Sequence, residues 1–334
     1  MKKNIALITG GLSRESIVSY QSAESVMNNI DSTLFDIYKI DLKQDGWFYE
    51  NELNQLLQVD KADFSIIFNN QKIKFEGVFI CIHGTPGEDG KLQGYFDMLQ
   101  IPYTSCNAAT SALTFNKRNT IAVVKMDGIN VANSRLLYKD DWENSNSLNH
   151  INAILEKLVL PLFVKPNNGG SSIGISKVNN KNELETAILK AFKEDNQIII
   201  EEFIMGNEYT IGVYKQNNQI FTLPITAIIS ENEFFDYEAK YLGKSKEITP
   251  ANIEVELKER IEKTAKNIYK ILNCAGCVRI DFIYNHNLNK IYMLEVNTIP
   301  GLTSASLIPQ QVKENNIAIK DFYTNLINEM FIKQ

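Results

Sequence analysis

Residues 278–297 read VRIDFIYNHNLNKIYMLEVN, and the fold of the chain is easiest to recognise from this stretch. Apolar and polar side chains alternate near both of its ends, which predicts two β-strands, at 278–284 and 290–296. The polar residues 285–289 between them are typical of a hairpin turn. The stretch therefore predicts an antiparallel pair with one apolar face and one face that carries charged side chains.

The charged face of this hairpin predicts a cluster of oxygen atoms. If the hairpin is symmetric about Leu288, Asp281 lies opposite Glu295 and Arg279 lies opposite Asn297. Like charges directly opposed across a ladder are destabilising, so this arrangement suggests a hard divalent cation between the oxygens, Mg²⁺ being the natural choice. The alternative is a solvated sheet face whose carboxylates point to water, and the apolar residues of the other face fit that interpretation too.

The first third of the chain predicts a parallel sheet of the α/β class. Strands are expected at 5–8, 35–40 and 77–82, and helices at 16–29 and 92–99. Alternation of this kind is typical of βαβ units, whose ligands bind at the carboxyl ends of the strands. Two of those ends carry polar, glycine-containing runs: GGLSRE begins at Gly10 and HGTPGEDG begins at His83.

The rest of the chain contains a small-residue loop and a long aperiodic segment. The run KPNNGGSSIG at 165–174 follows a predicted strand and suits backbone contacts to phosphate, although a plain surface turn fits it as well. Residues 230–249 lack periodicity, which is typical of a functional loop. The other elements predicted here are helices at 111–126, 181–193 and 257–272 and strands at 160–165, 197–202, 208–214 and 219–226.

Composition excludes several classes of protein. The 334 residues carry a net charge of −6, which gives no general attraction to nucleic acid or to an anionic membrane surface. The chain has no apolar segment long enough to span a membrane, and its first apolar run is too short for a signal peptide, so we expect a cytoplasmic protein. Cys274 and Cys277 form a lone CxxC, for which buried thiols are favoured over a zinc site.

Seven motifs in order resemble those of the D-alanine–D-alanine ligases of the ATP-grasp superfamily, over nearly the whole chain. The resemblance implies an α/β fold that becomes α+β in the ATP-grasp part: a Rossmann-like domain with a parallel sheet at 1–106, then ATP-grasp subdomains at 107–204 and 205–334, with an omega-type lid at 230–249. The motifs lie at 10–15, 83–94, 165–174, 236–241, 279–281, 294–301 and 303–307.

The resemblance implies an ATP site and a metal site. The residues implied for ATP are Lys117 and Lys165 on the phosphates, Ser172 in the loop over the β- and γ-phosphates, Glu201 with the backbone of Phe203 and Ile204 on the adenine, Glu208 on the ribose, and Lys240 in the lid. Those implied for two Mg²⁺ ions, with Mn²⁺ as the alternative, are Asp281, Glu295 and Asn297, the oxygens of the hairpin.

The resemblance also implies a site for two amino acids. The catalytic residues implied are Glu15, Ser171, Tyr241, Arg279 and Ser306, and those implied for substrate binding are Glu15, His83, Arg279, Gly301, Ser306 and Leu307. Glu15 would hold the ammonium of the first D-alanine, in a set with Ser171 and Tyr241. Arg279 and the backbone near Gly301 would stabilise the oxyanion, while Ser306 and Leu307 would receive the second carboxylate.

The implied reaction is ATP-dependent ligation of two D-alanines through an acyl phosphate, for peptidoglycan precursor synthesis. The family also implies a cytoplasmic homodimer with small-molecule substrates, namely D-alanine and ATP, and with neither nucleic acid nor membrane as a partner. Two alternatives remain open at this point: a related ligase that takes D-lactate or D-serine as its second substrate, against which Tyr241 argues, and a non-catalytic protein on the same scaffold, which the retained metal-ligand positions and Arg279 disfavour.

Overall fold

The computed structural model describes residues 2–170, 172–230 and 245–332, apart from the side chains of Ser230 and Ser245. Within these ranges the strands are β1 (Lys3–Gly10), β2 (Phe35–Leu42), β3 (Trp47–Glu50), β4 (Leu56–Gln58), β5 (Ser65–Phe68), β6 (Gln71–Lys74), β7 (Gly77–Ile80), β8 (Ser134–Tyr138), β9 (Leu162–Pro166), β10 (Ser176–Val178), β11 (Gln197–Glu202), β12 (Asn207–Gln216), β13 (Gln219–Thr222), β14 (Thr226–Ser230), β15 (Ser245–Ile248), β16 (Cys277–Asn285) and β17 (Lys290–Asn297).

The helices of the same ranges are α1 (Ser16–Asn29), α2 (Lys91–Leu99), α3 (Ala108–Phe115), α4 (Lys117–Met126), α5 (Lys139–Glu143), α6 (Ser147–Leu155), α7 (Leu184–Ala191), α8 (Val255–Ile271), α9 (Leu307–Glu314) and α10 (Ile319–Met330), with a 3₁₀ turn at Lys181–Glu183. Among these described helices, none combines the length and the apolar character needed to cross a bilayer.

The first sheet has the strand order β4-β3-β2-β1-β7. Strand β1 runs parallel to both β2 and β7, as the sequence predicts, whereas β3 and β4 extend one edge in the antiparallel sense. Ile5 and Leu7 belong to the core that α1 and α10 cover, and Ala6 and Ile8 to the core on the opposite face. Because both faces of β1 are buried, a ligand can reach this sheet only at the strand ends.

The second sheet, β10-β9-β11-β8, is antiparallel throughout. Helices α6 and α7 cover one of its faces, where Ile154 and Ile188 pack with Val164 and Ile198. The other face of β9 and β11 is therefore the one left to line a ligand cavity.

The helix predicted at 111–126 is two helices, α3 and α4. Asn116 lies between them with an extended backbone (φ −92°, ψ 104°), and its side-chain oxygen accepts a hydrogen bond of 2.9 Å from the Asn119 amide. The side chain of Asn116 thereby caps α4 and replaces a helical backbone bond. As a result Lys117 begins α4, and its Nζ donates to the carbonyl of Gly169 at 2.6 Å.

The third sheet has the order β15-β14-β12-β16-β17, and β13 also pairs with β12. Helix α8 covers one face through Leu257, Ile261, Ala265 and Ile268, the apolar stripe that the sequence predicts. The single strand predicted at 219–226 is in fact β13 and β14, since Pro224 separates them and has no amide hydrogen to give to a ladder.

Candidate active site

A cleft of about 310 Å³ lies where the loops of the first sheet meet the β16–β17 hairpin. Its volume is at the lower end of the range typical of small-molecule sites. All six residues predicted to bind substrate line it: Glu15, His83, Arg279, Gly301, Ser306 and Leu307. The structure thus brings together residues that are nearly 300 positions apart in the chain.

Two glycines place Glu15 at the wall of this cleft. Gly10 and Gly11 have φ angles of +85° and +103°, and a Cβ on Gly10 would lie 2.6 Å from Asp41 Oδ1. Only glycine turns the chain so tightly there, and helix α1 can then begin directly after Glu15. The backbone of Gly170, in the small-residue loop, lies close to Glu15, since a Cβ on Gly170 would lie 3.0 Å from Glu15 Oε1.

His83 is buried behind Glu15 and is tied to helix α1. Its amide donates to Ser19 Oγ at 3.0 Å, and its Nε2 lies 3.3 Å from Ser22 Oγ. Burial, and then the positive charge of Arg279, lowers the pKa of His83 to about 4. The imidazole is therefore neutral at neutral pH and can donate one hydrogen bond.

Arg279 and Asp281 form a bidentate ion pair on β16. Nε of Arg279 donates to Oδ1 at 2.9 Å and Nη2 to Oδ2 at 2.9 Å. Asp281 Oδ1 also accepts from Thr210 Oγ1 at 2.5 Å, and Oδ2 accepts from Asn297 Nδ2 at 3.2 Å. Each oxygen of Asp281 thus accepts two hydrogen bonds, which fills the four lone-pair positions of a carboxylate.

The opposed carboxylates lie in the predicted register. Asp281 pairs with Glu295 and Arg279 with Asn297, and a bulge follows beyond Asp281, where Phe282 pairs with Met293. Since Arg279 already neutralises Asp281, the opposition of the two acids does not by itself require a cation.

The three predicted ligands nevertheless fit a hard cation. Glu295 and Asn297 line the cleft, and the Asn297 amide that donates to Asp281 leaves its own oxygen for another partner. Asp281 can join them only after it gives up a hydrogen bond from Arg279 or Asn297. In residues 2–170, 172–230 and 245–332 no group of three or more His, Cys, Asp or Glu side chains is arranged for a metal ion, and this site has only two such side chains beside its asparagine.

A second cavity lies between the second and third sheets. Seven of the residues predicted to bind ATP line it: Lys117, Lys165, Ser172, Glu201, Phe203, Ile204 and Glu208. Apolar side chains complete the wall, among them Phe163, Ile175 and Leu294. Leu294 is apolar like the core residues of the hairpin, but the bulge beside it turns this side chain into the cavity.

Lys165 and Glu201 form a buried ion pair on the wall of this second cavity, with Nζ 2.6 Å from Oε2. Burial alone would lower the pKa of Lys165, but the charge and hydrogen bond of Glu201, with Glu295 and Glu208 further away, raise it overall. The lysine is therefore a fixed positive charge at the end of β9, next to the small-residue loop.

Three predicted residues, Ser171, Lys240 and Tyr241, lie outside the described residues. Most of the predicted lid at 230–249 lies outside them as well. The last part of that segment is a strand and not a loop. Strand β15 pairs with β14 in the antiparallel sense, with Ser245 opposite Ser230 and Ile248 opposite Ala227.

The sequence interpretation missed several residues of the cleft. Val18 and Gln21 line it one and two turns after Glu15, a helical spacing that could have revealed them, and Glu247 reaches it from β15. Glu88 also lines the cleft, and its Oε2 accepts from the Gly84 amide at 2.7 Å. Burial, and then the charge of Glu15, raises the pKa of Glu88 to about 8.

Comparison with known proteins gives a consistent result. The family model described as the D-ala D-ala ligase N-terminus matches residues 4–106, and the one described as the D-ala D-ala ligase C-terminus matches residues 123–328. The chain is 48% identical over 325 residues to a D-alanine–D-alanine ligase of Flavobacterium johnsoniae, covering 97% of this chain and 98% of the relative. It is 43% identical over 331 residues to the corresponding ligase of Phocaeicola vulgatus, covering 99% and 100%.

Solved structures agree with these relatives. The VanG D-Ala:D-Ser ligase from Enterococcus faecalis aligns with a TM-score of 0.86 at 34% identity, over 99% of this chain and 100% of that one. The D-alanine–D-alanine ligase from Bacillus anthracis complexed with ATP aligns with a TM-score of 0.76 at 27% identity, over 98% and 97%.

Proposed function

The chain belongs to the D-alanine–D-alanine ligase family, and we propose that it joins two D-alanine molecules to D-alanyl-D-alanine at the expense of ATP. One observation of this structure carries the proposal: Glu295 lines both the cleft and the second cavity. A nucleotide in the second cavity and an amino acid in the cleft would therefore meet at this carboxylate. In the proposed reaction ATP gives its γ-phosphoryl group to the carboxylate of D-alanine, so both molecules are substrates of the same step.

The first step forms an acyl phosphate. A carboxylate oxygen of the first D-alanine attacks the γ-phosphorus, a new O–P bond forms, and the bond to the β-phosphate oxygen breaks to release ADP. Lys117 and Lys165 hold the phosphates, and Glu15 holds the ammonium of the first D-alanine. Their contribution is to position the reactants and to neutralise charge.

The second step forms the amide bond. The amine of the second D-alanine attacks the acyl carbon and a tetrahedral oxyanion forms. This intermediate collapses as the nitrogen gives up one proton to the departing phosphate, which leaves with one oxygen of the original carboxylate. Arg279 and the backbone near Gly301 face this oxyanion. Helix α9 begins at Leu307 without a side-chain cap, so its first amides are available to the carboxylate of the second D-alanine.

We assign Asp281, Glu295 and Asn297 to two Mg²⁺ ions, with Mn²⁺ as the alternative. The donor set is made of hard oxygen atoms, which supports this choice. When bound, such ions neutralise the phosphate oxygens as charge develops on them. For Asp281 to take part, it has to give up a hydrogen bond from Arg279 or Asn297. Arg279 lines the cleft, whereas Asp281 lines the second cavity, so the ions would lie where the two meet.

Further parts of the proposal rest on the family. Lys240 and Tyr241 would close over the site, and Ser171 would join Glu15 and Tyr241 around the first ammonium. We propose a homodimer that acts in the cytoplasm, where ATP is supplied, and whose product serves peptidoglycan synthesis. Division of the chain at 106 and 204 is supported by the four sheets of the described residues, the fourth being the β5–β6 pair, since each lies within one of the resulting units.

The test is phosphate release from Mg²⁺ and ATP with product masses determined. D-Alanine alone should support release and yield its dipeptide, whereas L-alanine should not. Excess D-serine or D-lactate beside D-alanine tests the second substrate, because the D-Ala:D-Ser ligase is among the similar structures. A mixed product would move the assignment to that class of ligase, and no release with any amino acid would overturn the proposal.

A further inference from the structure

Ser22 connects two walls of the cleft through one hydroxyl group. It lies on α1 and is fully buried. Its Oγ accepts a hydrogen bond from the Leu302 amide at 3.3 Å and lies 3.3 Å from His83 Nε2. His83 and Gly301, the residue before Leu302, both line the cleft, whereas Ser22 does not.

The hydrogen bonds of Ser22 determine where its proton lies. The Leu302 amide can only donate, so it uses a lone pair of Oγ. Among the hydrogen bonds of the described part of the chain, Nε2 of His83 is then the acceptor left for the hydroxyl proton. When the hydroxyl proton lies on this hydrogen bond, Nε2 carries no hydrogen and the neutral imidazole bears its proton on Nδ1.

The remaining nitrogen of His83 is accessible from the cleft. His83 lines the cleft. Three buried side-chain atoms of the described residues lack a hydrogen-bond partner, and Nδ1 of His83 is not one of them. The lowered pKa of His83 agrees with a neutral ring that has one donor. The backbone of Leu302 is held by hydrogen bonds at both of its polar groups. Its amide donates to Ser22 Oγ, and its carbonyl accepts from Tyr323 Oη at 3.3 Å.

We propose that Ser22 is a positioning residue of the ligase, which fixes the Nδ1–H tautomer of His83 and holds the Gly301–Leu302 backbone. The two donors that would then be directed at the acyl oxygen of the first substrate are Nδ1–H of His83 and the amide of Gly301. This inference rests on the proposed function. Its consequence is that the hydroxyl of a residue outside the cleft controls the geometry of two donors inside it.

The direct test is the tautomer of His83, read from ¹⁵N shifts and two-bond couplings in protein labelled at histidine. The chain has three histidines, so the variant His83→Gln assigns the signal. We expect protonated Nδ1 and bare Nε2 in the wild type, with loss of that preference in Ser22→Ala. A wild-type His83 protonated at Nε2 would overturn the inference, whether or not the protein proves to be a ligase.

Kinetics give the second test. Ser22→Ala should lower kcat about 10- to 100-fold, because it misplaces donors without removing them, with little change in the KM for ATP. In the His83→Gln background the same change should cost much less, because part of its effect passes through His83. Ser65→Ala is the matched control, since Ser65 is equally buried but bonds Asp63 far from the cleft. Additive losses in the double variant, or an equal loss in the control, would contradict a positioning role.

Discussion

Replacement of Arg279 by methionine tests both the stability and the chemistry of the site. Arg279 gives Asp281 two hydrogen bonds of 2.9 Å, and the side chain of Asp281 is only 9% exposed. Methionine fills most of the same volume but leaves the carboxylate without its cation. The variant should therefore be less stable, and it should lose the positive charge that we propose to stabilise the oxyanion.

The size of the loss follows from the donors that remain. Removing one partner of a buried ion pair costs about 3–5 kcal/mol. Thr210 and Asn297 still donate to Asp281, so we expect a smaller loss than that, about 2–3 kcal/mol. For a chain of 334 residues that unfolds in one transition this corresponds to a fall of about 3–4 °C in Tm. Loss of the oxyanion contact should reduce kcat about 10²- to 10³-fold.

Thermal unfolding without metal, phosphate release with Mg²⁺ and ATP, and calorimetric titration with Mg²⁺ alone measure these effects. The variant should bind Mg²⁺ more tightly than the wild type, because Asp281 no longer accepts from the guanidinium. Arg260→Met is the control, since Arg260 anchors the exposed turn of the same hairpin through Asn289. A variant at Arg279 with wild-type Tm and turnover would refute the reasoning.

Three further predictions concern the acids and the histidine of the site. Glu295→Gln should reduce turnover at least 10³-fold, the scale of losing a catalytic metal contact, and should abolish the rise in Tm with Mg²⁺ and ATP; wild-type rates would remove it from the metal site. Glu201→Gln should raise the KM for ATP about tenfold, because Lys165 loses its charged partner and the proposed adenine contact loses its charge; an unchanged KM would separate the ion pair from nucleotide binding. His83 has a folded pKa of about 4 against 6.5 in the unfolded chain, so the unfolded state binds more protons below pH 6.5. The wild type should lose about 3 kcal/mol more than His83→Gln between pH 7 and pH 4, measured by denaturant unfolding, and parallel profiles would contradict this.

The register of the central hairpin could be predicted near the site but not throughout. Symmetry about Leu288 gives the observed pairs of Asp281 and of Arg279. Beyond them the ladder shifts by one residue at Leu294. Met293 and Leu294 are both apolar, so alternation does not reveal where the change of face occurs.

Other features depend on tertiary contacts that a pattern does not contain. Asn116 ends one helix and caps the next, yet apolar residues continue the helical period across it. The sequence around Glu88 indicates a solvent-exposed acid in a glycine-rich loop. Glu88 is half-buried instead, because its loop packs against the segment before α1, where the Leu12 amide donates to the Thr85 carbonyl. Six lining residues of the cleft and seven of the second cavity, by contrast, could be predicted from the family resemblance, because a family pattern records positions that are distant in sequence and close in space.

The most direct measurement is the fate of carboxyl-¹⁸O-labelled D-alanine incubated with the wild-type protein, Mg²⁺ and ATP, followed by mass spectrometry of both products. The acyl-phosphate route predicts D-alanyl-D-alanine and phosphate in equal amounts, with one ¹⁸O atom in each phosphate. Unlabelled phosphate without dipeptide would contradict the ligase reaction, and unlabelled phosphate with dipeptide would contradict its acyl-phosphate intermediate.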